Sequence, residues 1–387
     1  MSRAWSQCTI DSLCLRVTSG GTPSRKHPEY FVGPNVTGGV PWLKTKELDD
    51  TAVHNTEEYI TKSAIAASSA KVLPRQTVVM AMYGATVGKL GMLATEMTCN
   101  QAVCAMVVDP NKTDPKFLFY RLLQDRPALV GLATGSAQQN LSGTVIKNFK
   151  VSCPPLIEQR RIAGVLGALD DLIDTNKRLI ASLANMRAAA WSSVTPIANA
   201  TLGSVAVLCA DRATPSELSG DTVYLGLEHF AEAGAGLVSR GRAHGLDSQK
   251  SRFQRGDVLY GKLRPYFRKV ARPDFDGICS TEIWVLRPST DVTAEYLESV
   301  VSSQPFTDHA MRGSGGTHMP RARWDHVSGF PIAIPNAAEM EKVTRITEPM
   351  WRLMWSLDAE NETLSGVRDE LLPLLLSGAI SVAEITP

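Results

Sequence analysis

Residues 162–190 read IAGVLGALDDLIDTNKRLIASLANMRAAA, with apolar side chains at alternating steps of three and four positions. This spacing is the heptad pattern of a helix that packs along another helix. The pattern follows Pro154 and Pro155, which end any preceding strand. The residues of this seam are Ile162, Val165, Leu169, Leu172, Asn176, Leu179, Leu183, Met186 and Ala190.

A second seam with the same steps lies closer to the end of the chain. Its residues are Val343, Ile346, Met350, Leu353, Leu357, Glu360, Leu364, Val367, Leu371 and Leu374. Asn176 and Glu360 are the polar members of the two seams, and a buried polar group at such a position fixes helix register. The alternative interpretation places either residue at a solvated edge. Pro349 is expected to kink the second helix or to delay its regular part.

The two seams occur in one chain, so each helix has a matching partner. This predicts antiparallel pairing that places two globular units at opposite ends, about an approximate two-fold axis. The alternative is that each helix packs only on its own domain.

The globular parts form an internal duplication. Residues 73–79 (LPRQTVV) match 253–259 (FQRGDVL), and 98–101 (TCNQ) match 278–281 (ICST) at the same offset of 180. The predicted fold class is α+β: two similar mixed α/β domains joined by two long antiparallel coiled-coil helices, in a pseudo-two-fold repeat. The predicted segments are a first domain (1–152), a central helix (153–193), a second domain (194–335) and a C-terminal helix (336–387).

Composition narrows the class of protein. The 387 residues carry a net charge of +1, so total charge does not indicate a nucleic-acid partner. The stretch from Arg240 to Arg272 is nevertheless dense in Lys and Arg, which favours a phosphate-facing surface or else a solvated charged face. No apolar run approaches the ~20 residues of a membrane span, and residues 1–10 lack the apolar core of a signal peptide. We therefore expect a cytoplasmic protein without a membrane partner.

Several short motifs together resemble the specificity subunits of type I restriction-modification systems. In the first half they are SGGTPS (19–24), VPWLKT (40–45), YGATVGK (83–89), GS (135–136), QQN (138–140) and PPLIEQRRI (154–162). In the second half they are GDVLYGKLRPY (256–266) and DGICSTE (276–282). One departure is that Pro155 corresponds to Asn336 and Glu158-Gln159-Arg160 to Glu339-Met340-Glu341, so partner docking by the second helix is expected to be weaker or differently arranged.

The resemblance implies a bipartite double-stranded DNA target, with each globular domain as a target recognition domain for one half. It also implies two methyltransferase subunits that methylate adenine and a restriction and translocase subunit. S-adenosylmethionine and ATP are then expected only on those partners, and this chain is expected to have no cofactor, metal or catalytic residues.

Candidate DNA contacts follow from side-chain chemistry, because Asn and Gln suit adenine while Arg and Lys suit guanine or phosphate. In the first domain they are Arg25, Lys26, Lys44, Lys46, Tyr83, Thr86, Lys89, Gln138, Gln139 and Asn140. In the second domain they are Lys262, Arg264, Tyr266, Arg268, Lys269, Thr317, His318, Arg321 and Arg323. Each of these could instead be an ordinary polar surface residue.

Catalytic motifs are missing from the sequence. Residues 84–90 (GATVGKL) have three residues between the glycines and Leu after Lys, so they do not match a phosphate-binding loop. The seven cysteines and seven histidines show no zinc spacing. The remaining alternative is a helical scaffold whose globular domains hold proteins or RNA.

Overall fold

The computed structural model describes residues 5–34, 36–133, 140–234, 236–315 and 319–382. The chain forms two compact units, one of residues 1–174 and 362–387 and one of residues 175–361. Each unit thus contains one globular domain and a part of both long helices, whereas the predicted segments treat each helix as separate.

The first domain contains two mixed sheets and short helices. Its strands are β1 (Ser6–Thr9), β2 (Cys14–Ser19), β3 (Phe31–Val32), β4 (Val40–Leu43), β5 (Thr51–Val53), β6 (Tyr59–Ile60), β7 (Val78–Ala81), β8 (Leu90–Leu93), β9 (Thr98–Cys99), β10 (Val103–Val108) and β11 (Lys150–Cys153). Its helices are α1 (Ile10–Leu13), α2 (Lys62–Ala66), α3 (Pro115–Val130) and α4 (Gly143–Asn148). The sheet orders are β2-β10-β7-β8-β5 and β3-β6-β4-β9, and β1 pairs with β11.

The long helix α5 (Leu156–Ser192) follows, and the second domain repeats the plan. Its strands are β12 (Pro196–Thr201), β13 (Ala206–Leu208), β14 (Arg212–Ala213), β15 (Val223–Leu225), β16 (Gly241–Arg242), β17 (Lys250–Phe253), β18 (Val258–Gly261), β19 (Val270–Ala271), β20 (Gly277–Cys279), β21 (Ile283–Pro288) and β22 (Pro331–Pro335). Its helices are α6 (Leu202–Val205), α7 (Ala294–Val301), α8 (Gln304–Arg312) and α9 (Trp324–Val327), followed by the second long helix α10 (Ala337–Ser377).

The duplication is visible in the strand order. The order β2-β10-β7-β8 of the first domain recurs as β13-β21-β18-β19, and the β1–β11 pair recurs as β12–β22. The parallel pair of β4 with β9 recurs as β15 with β20. The two domains differ in both sheets: the first sheet has five strands in the first domain and four in the second, and the second sheet has four and five.

The central strands are apolar throughout because both faces of the sheet are covered. Val78 and Met80 pack on the helical side with α3 and α5, while Val79 and Ala81 pack on the side of β4 and β9. The second domain shows the same alternation, with Tyr260 on the helical side and Leu259 on the opposite side.

The long helices run antiparallel within each unit. In the first unit, Ile162 and Leu166 of α5 share a core with Leu375 of α10, and the Arg368 guanidinium donates to the Asp170 carboxylate (2.9 Å). In the second unit, the Asn176 amide donates to the side chains of Glu360 (3.0 Å) and Asn361 (3.1 Å). Antiparallel pairing, rather than separate packing of each helix, is therefore what the structure shows.

About half of the predicted seam residues do not lie on the inward face of the long helices. The predicted seam residues Leu172, Leu179, Met186, Ile346, Leu353, Val367 and Leu374 are exposed. On α5 the inward residues are one position later, at Leu166, Ile173, Ile180 and Arg187. On α10 they are Thr347, Met354, Asn361, Arg368 and Leu375. The buried or half-buried residues of the predicted seam include Ile162, Val165, Leu169, Asn176, Leu183, Val343, Met350, Leu357 and Leu364.

Three smaller expectations are resolved by the helices. Asn176 is buried, whereas Glu360 is exposed at the edge and the buried partner is Asn361. Helix α10 begins at Ala337, so Pro349 does not delay it. Gln159 is buried, where its side chain accepts from Thr113 (2.7 Å), and Met340 is buried in an apolar cluster. The charge difference between Arg160 and Glu341 lies on exposed side chains, so weaker or different partner docking by the second helix stays a prediction.

A buried charged cluster around Arg272 holds α5 to the second domain through its side chains and α10 through the Arg272 backbone carbonyl. The Arg272 guanidinium contacts Glu295 (2.9 Å) and Glu298 (3.1 Å), and Arg187 of α5 also contacts Glu298 (2.5 Å). The Arg272 carbonyl accepts hydrogen bonds from the indoles of Trp351 (3.0 Å) and Trp355 (3.1 Å). Burial alone raises the pKa of Glu298, but the two arginines outweigh it and lower that pKa.

Candidate nucleic-acid interface

Equivalent turns follow the central strand of each domain. We name residues 82–89 the first turn and residues 262–269 the second turn. In the first turn, the Ala81 N–H donates to the Lys89 carbonyl (2.8 Å), and in the second the Gly261 N–H donates to the Lys269 carbonyl (2.8 Å). The two turns therefore have the same backbone closure.

Each turn is held by a second segment that also carries predicted DNA contacts. The Leu141 N–H donates to the Met82 carbonyl (2.9 Å), next to the backbone bridge between Tyr83 and Asn140. In the second domain the Ala322 N–H donates to the Lys262 carbonyl (2.8 Å), next to the bridge between Leu263 and Arg321. The fold thus brings candidate DNA contacts that are far apart in sequence, such as Tyr83 and Asn140, next to each other.

Both turns contain two residues with left-handed backbone. In the first turn they are Gly84 (φ +74°) and Gly88 (φ +79°). In the second turn they are Arg264 (φ +52°) and Arg268 (φ +48°). For a residue with a side chain this conformation costs roughly 1–2 kcal/mol.

Lys89 of the first turn has a carboxylate partner within the domain. Its Nζ lies 3.0 Å from Asp50 Oδ2, and Arg126 also binds Asp50. The hydrogen bond to Asp50 is the main cause of the raised Lys89 pKa. Tyr83 and Thr86 are half-exposed and Asn140 is exposed.

The predicted cations near Trp42 form a lysine–glutamate cluster of Arg25, Lys44, Lys46, Glu57 and Glu58. Lys44 lies 3.0 Å from Glu58 and 3.2 Å from Glu57, and Lys46 lies 2.6 Å from Glu57. Arg25 lies 2.7 Å from Glu58. Three cations against two carboxylates leave a net charge of about +1, so the surface attracts phosphate less than its lysines alone suggest.

Lys26 differs from these cations, because it is exposed and none of the described residues forms an ion pair with it. Gln138, Gln139, Thr317 and His318 lie outside the described residues.

In the second domain the predicted contacts divide by their partners. Arg321 binds Glu282 (2.9 Å), Arg323 binds Asp325 (2.5 Å), and Lys269 donates to the Leu227 carbonyl (2.7 Å). No carboxylate among the described residues pairs with Lys262, Arg264 or Arg268. Tyr266 stands between the two arginines and is 47% exposed.

The basic stretch from Arg240 to Arg272 is not one continuous surface. Lys250 and Arg272 are buried. Arg240 binds Asp358 (3.3 Å), and Arg252 binds Glu217 (3.3 Å). The sequence could not show this, because the buried cations and their carboxylates come from separate elements. Exposed positive charge is therefore confined to fewer residues than the sequence suggested.

Sequence reasoning missed the carboxylates Asp50, Glu57, Glu58 and Glu282 that bind the candidate cations. It also missed the left-handed arginines. The left-handed backbone of these arginines could have been predicted from the sequence. Arg264 and Arg268 lie 180 residues after Gly84 and Gly88, which is the offset of the duplication.

Among the described residues, no three His, Cys, Asp or Glu side chains meet in a way that could hold a metal ion. Burial raises the pKa of the Cys99, Cys104 and Cys279 thiols to about 12, which keeps them protonated and unreactive at neutral pH.

None of the helices within the described ranges has the length and apolar character to cross a membrane.

Comparison with known proteins identifies relatives for part of the chain. Residues 4–185 match the family described as Type I restriction modification DNA specificity domain. The chain is 26% identical over 161 residues to the type I restriction enzyme EcoR124I/EcoR124II specificity subunit of Escherichia coli, covering 40% of this chain and 39% of that protein. It is 27% identical over 167 residues to the MjaIX specificity subunit of Methanocaldococcus jannaschii, covering 42% and 37%. These alignments span about two fifths of the relatives' length.

A solved structure has the same fold. It is the type I restriction-modification system S subunit from M. genitalium, with a TM-score of 0.59 and 16% identity over 97% of this chain and 96% of that chain.

Proposed function

We propose that this chain, which over residues 4–185 matches the family of type I restriction modification DNA specificity domains, is the DNA-reading subunit of a type I restriction-modification complex. Each globular domain recognises one half of a split double-stranded target, in the cytoplasm where bacterial DNA lies. The chain performs no catalysis and needs no cofactor.

The observation that carries this proposal is the pair of equivalent turns. Both turns have the same backbone closure and the same left-handed positions, yet their side chains differ. Two modules that read different sequences need this combination of a common framework and different side chains. In the major groove each base pair presents its own hydrogen-bond pattern, and a good bidentate contact discriminates by about 1–3 kcal/mol.

The long helices offer a surface for partner subunits. In the first unit Leu172, Val367 and Leu374 are exposed, and in the second unit Leu179, Met186, Ile346 and Leu353 are exposed. Within each helix these apolar residues recur every seven positions or a multiple of seven, which suits packing by a further helix. We propose that two methyltransferase subunits dock on these stripes, supply S-adenosylmethionine and methylate adenine. An ATP-dependent restriction and translocase subunit joins them.

The test is selection from randomised duplex DNA by the full chain assembled with its methyltransferase partner. The expected product is one consensus of two half-sites separated by a fixed gap. Replacement of residues 1–150 by the corresponding region of a homologue should change one half-site only. Binding that is indifferent to sequence would instead favour the helical scaffold with protein or RNA partners.

A further inference from the structure

The first and second turns have the same left-handed backbone positions, but only the first turn has glycine at them. Gly84 and Gly88 have φ angles of +74° and +79°, and the equivalent Arg264 and Arg268 have φ angles of +52° and +48°. Glycine adopts this conformation freely, whereas arginine does so rarely. The second domain therefore keeps two arginines where glycine would be more stable.

The strained backbone is fixed by hydrogen bonds on several sides. The Phe267 N–H donates to the Arg264 carbonyl (3.0 Å) and the Arg268 N–H donates to the Pro265 carbonyl (2.8 Å). The Arg264 N–H donates to the Pro320 carbonyl (2.7 Å), and the Gly234 N–H donates to the Arg268 carbonyl (2.8 Å). The two arginine side chains therefore start from a defined framework, as base contacts require.

The described residues offer no ion pair that would give the guanidinium groups of Arg264 and Arg268 a role in stabilising the fold. Among the described residues, no carboxylate pairs with Arg264 or Arg268, whereas neighbouring Arg321 binds Glu282 (2.9 Å). Arg264 Nε is buried and has no hydrogen-bond partner. Unpaired cations on a strained backbone are typical of residues retained for binding.

We propose that Arg264 and Arg268 are the specificity-determining residues of the second domain and that each reads a guanine in the major groove of the second half-site. The planar guanidinium of arginine holds two donors in the geometry that matches guanine O6 and N7. A phosphate contact would not require the strained positions, because flexible lysines bind phosphate without them. This proposal rests on the proposed function and names the residues that perform it.

The test uses Arg264→Gly and Arg268→Gly in the full chain assembled with its methyltransferase partner. Binding is measured on the selected consensus and on duplexes with each base pair of both half-sites replaced. Each variant should lose about 5- to 150-fold of its discrimination at one guanine of the second half-site. Discrimination in the first half-site should not change.

Thermal unfolding of the same variants separates recognition from structure. Glycine relieves the left-handed strain, so the unfolding midpoint should stay the same or rise while discrimination falls. Gln76→Gly is the matched control, because Gln76 has φ +64° in the first domain at the position of Gly256. It should raise the midpoint and leave DNA binding unchanged.

Arg264→Lys keeps the charge but loses the planar fork that holds two N–H donors in fixed positions, so it should lose discrimination and retain affinity for unrelated duplex DNA. A uniform loss of affinity on all sequences would show phosphate contact and overturn the proposal. Unchanged discrimination in both glycine variants, or a lowered midpoint with intact discrimination in Arg264→Lys, would overturn it too. Failure of the unmodified complex to select a split consensus would instead refute the proposed function.

Discussion

Gly84 and Gly88 have the same backbone conformation but different surroundings. A Cβ on Gly88 would lie 2.6 Å from Val130 Cγ2, whereas a Cβ on Gly84 has nothing within 4 Å. We expect Gly88→Ala to lower the free energy of unfolding by about 2–4 kcal/mol, from strain plus overpacking. Gly84→Ala should cost only about 1 kcal/mol. Urea unfolding of the two variants measures the difference, and equal losses would contradict it.

Asp50 makes stability depend on pH. Burial alone raises its pKa, but hydrogen bonds from the Leu90 N–H, Lys89 and Arg126 outweigh that effect and lower the pKa. Because the folded pKa is below the unfolded one, this stabilisation is present above about pH 4 and is lost as pH falls through the folded pKa. Asp50→Asn should therefore lower the unfolding midpoint at pH 7, with a difference that shrinks in acid. A difference constant down to pH 2 would contradict this.

At the scale of the helix, two adjacent residues of α5 test which face is the interface. Ile173 is 6% exposed and Leu172 is 40% exposed. We expect Ile173→Ala to lower the free energy of unfolding by about 2–4 kcal/mol, because it leaves a cavity. Leu172→Ala should cost less than about 1 kcal/mol and should weaken association with the methyltransferase partner. Chemical denaturation measures both losses. A larger loss for Leu172→Ala than for Ile173→Ala would show that the seam predicted from the sequence is the true interface.

The heptad period was predictable, but the choice of face was not. Leu172 and Ile173, Leu179 and Ile180, and Leu353 and Met354 are adjacent apolar pairs, so steps of three and of four fit equally well. Only contact with the opposite helix decides between them. Ile162, Asn176 and Leu183 belong to both patterns, and all three are buried.

In the globular domains, too, features set by nearby residues were predictable and contacts between distant residues were not. The repeat predicted that the two domains share a framework, because strand patterns and turns are encoded locally. The ion pairs of the candidate site were not predictable, since Lys44 meets Glu58 only after the β4–β6 pairing brings them together. The sequence therefore identified candidate residues of both turns, but not the turns themselves or which of their cations are neutralised.

At the scale of the whole molecule, the helices are expected to set the gap between the half-sites. Helix α5 is continuous over Leu156–Ser192 and α10 over Ala337–Ser377. Insertion of seven residues after Leu183 together with seven after Ser356 keeps the heptad pairing and adds about 10 Å. The selected gap should change by about three base pairs while both half-site sequences stay the same.

A matched control inserts seven residues in α5 alone, which places the remaining seam opposite the wrong residues. That variant should unfold at lower temperature and give no new gap. Altered half-sites with an unchanged gap in the double insertion would show that the helices do not set the distance.

The paired indoles on the Arg272 carbonyl have a spectroscopic consequence. Trp351 and Trp355 share one acceptor, and the Arg272 guanidinium lies 3.8 Å from the Trp351 ring centroid. Indole fluorescence responds to hydration and to nearby charge, so detachment of α10 from the second domain should shift the emission of these two tryptophans toward longer wavelength. The chain thus contains a label-free optical reporter of this contact, and the Trp355→Phe variant identifies its share of the signal.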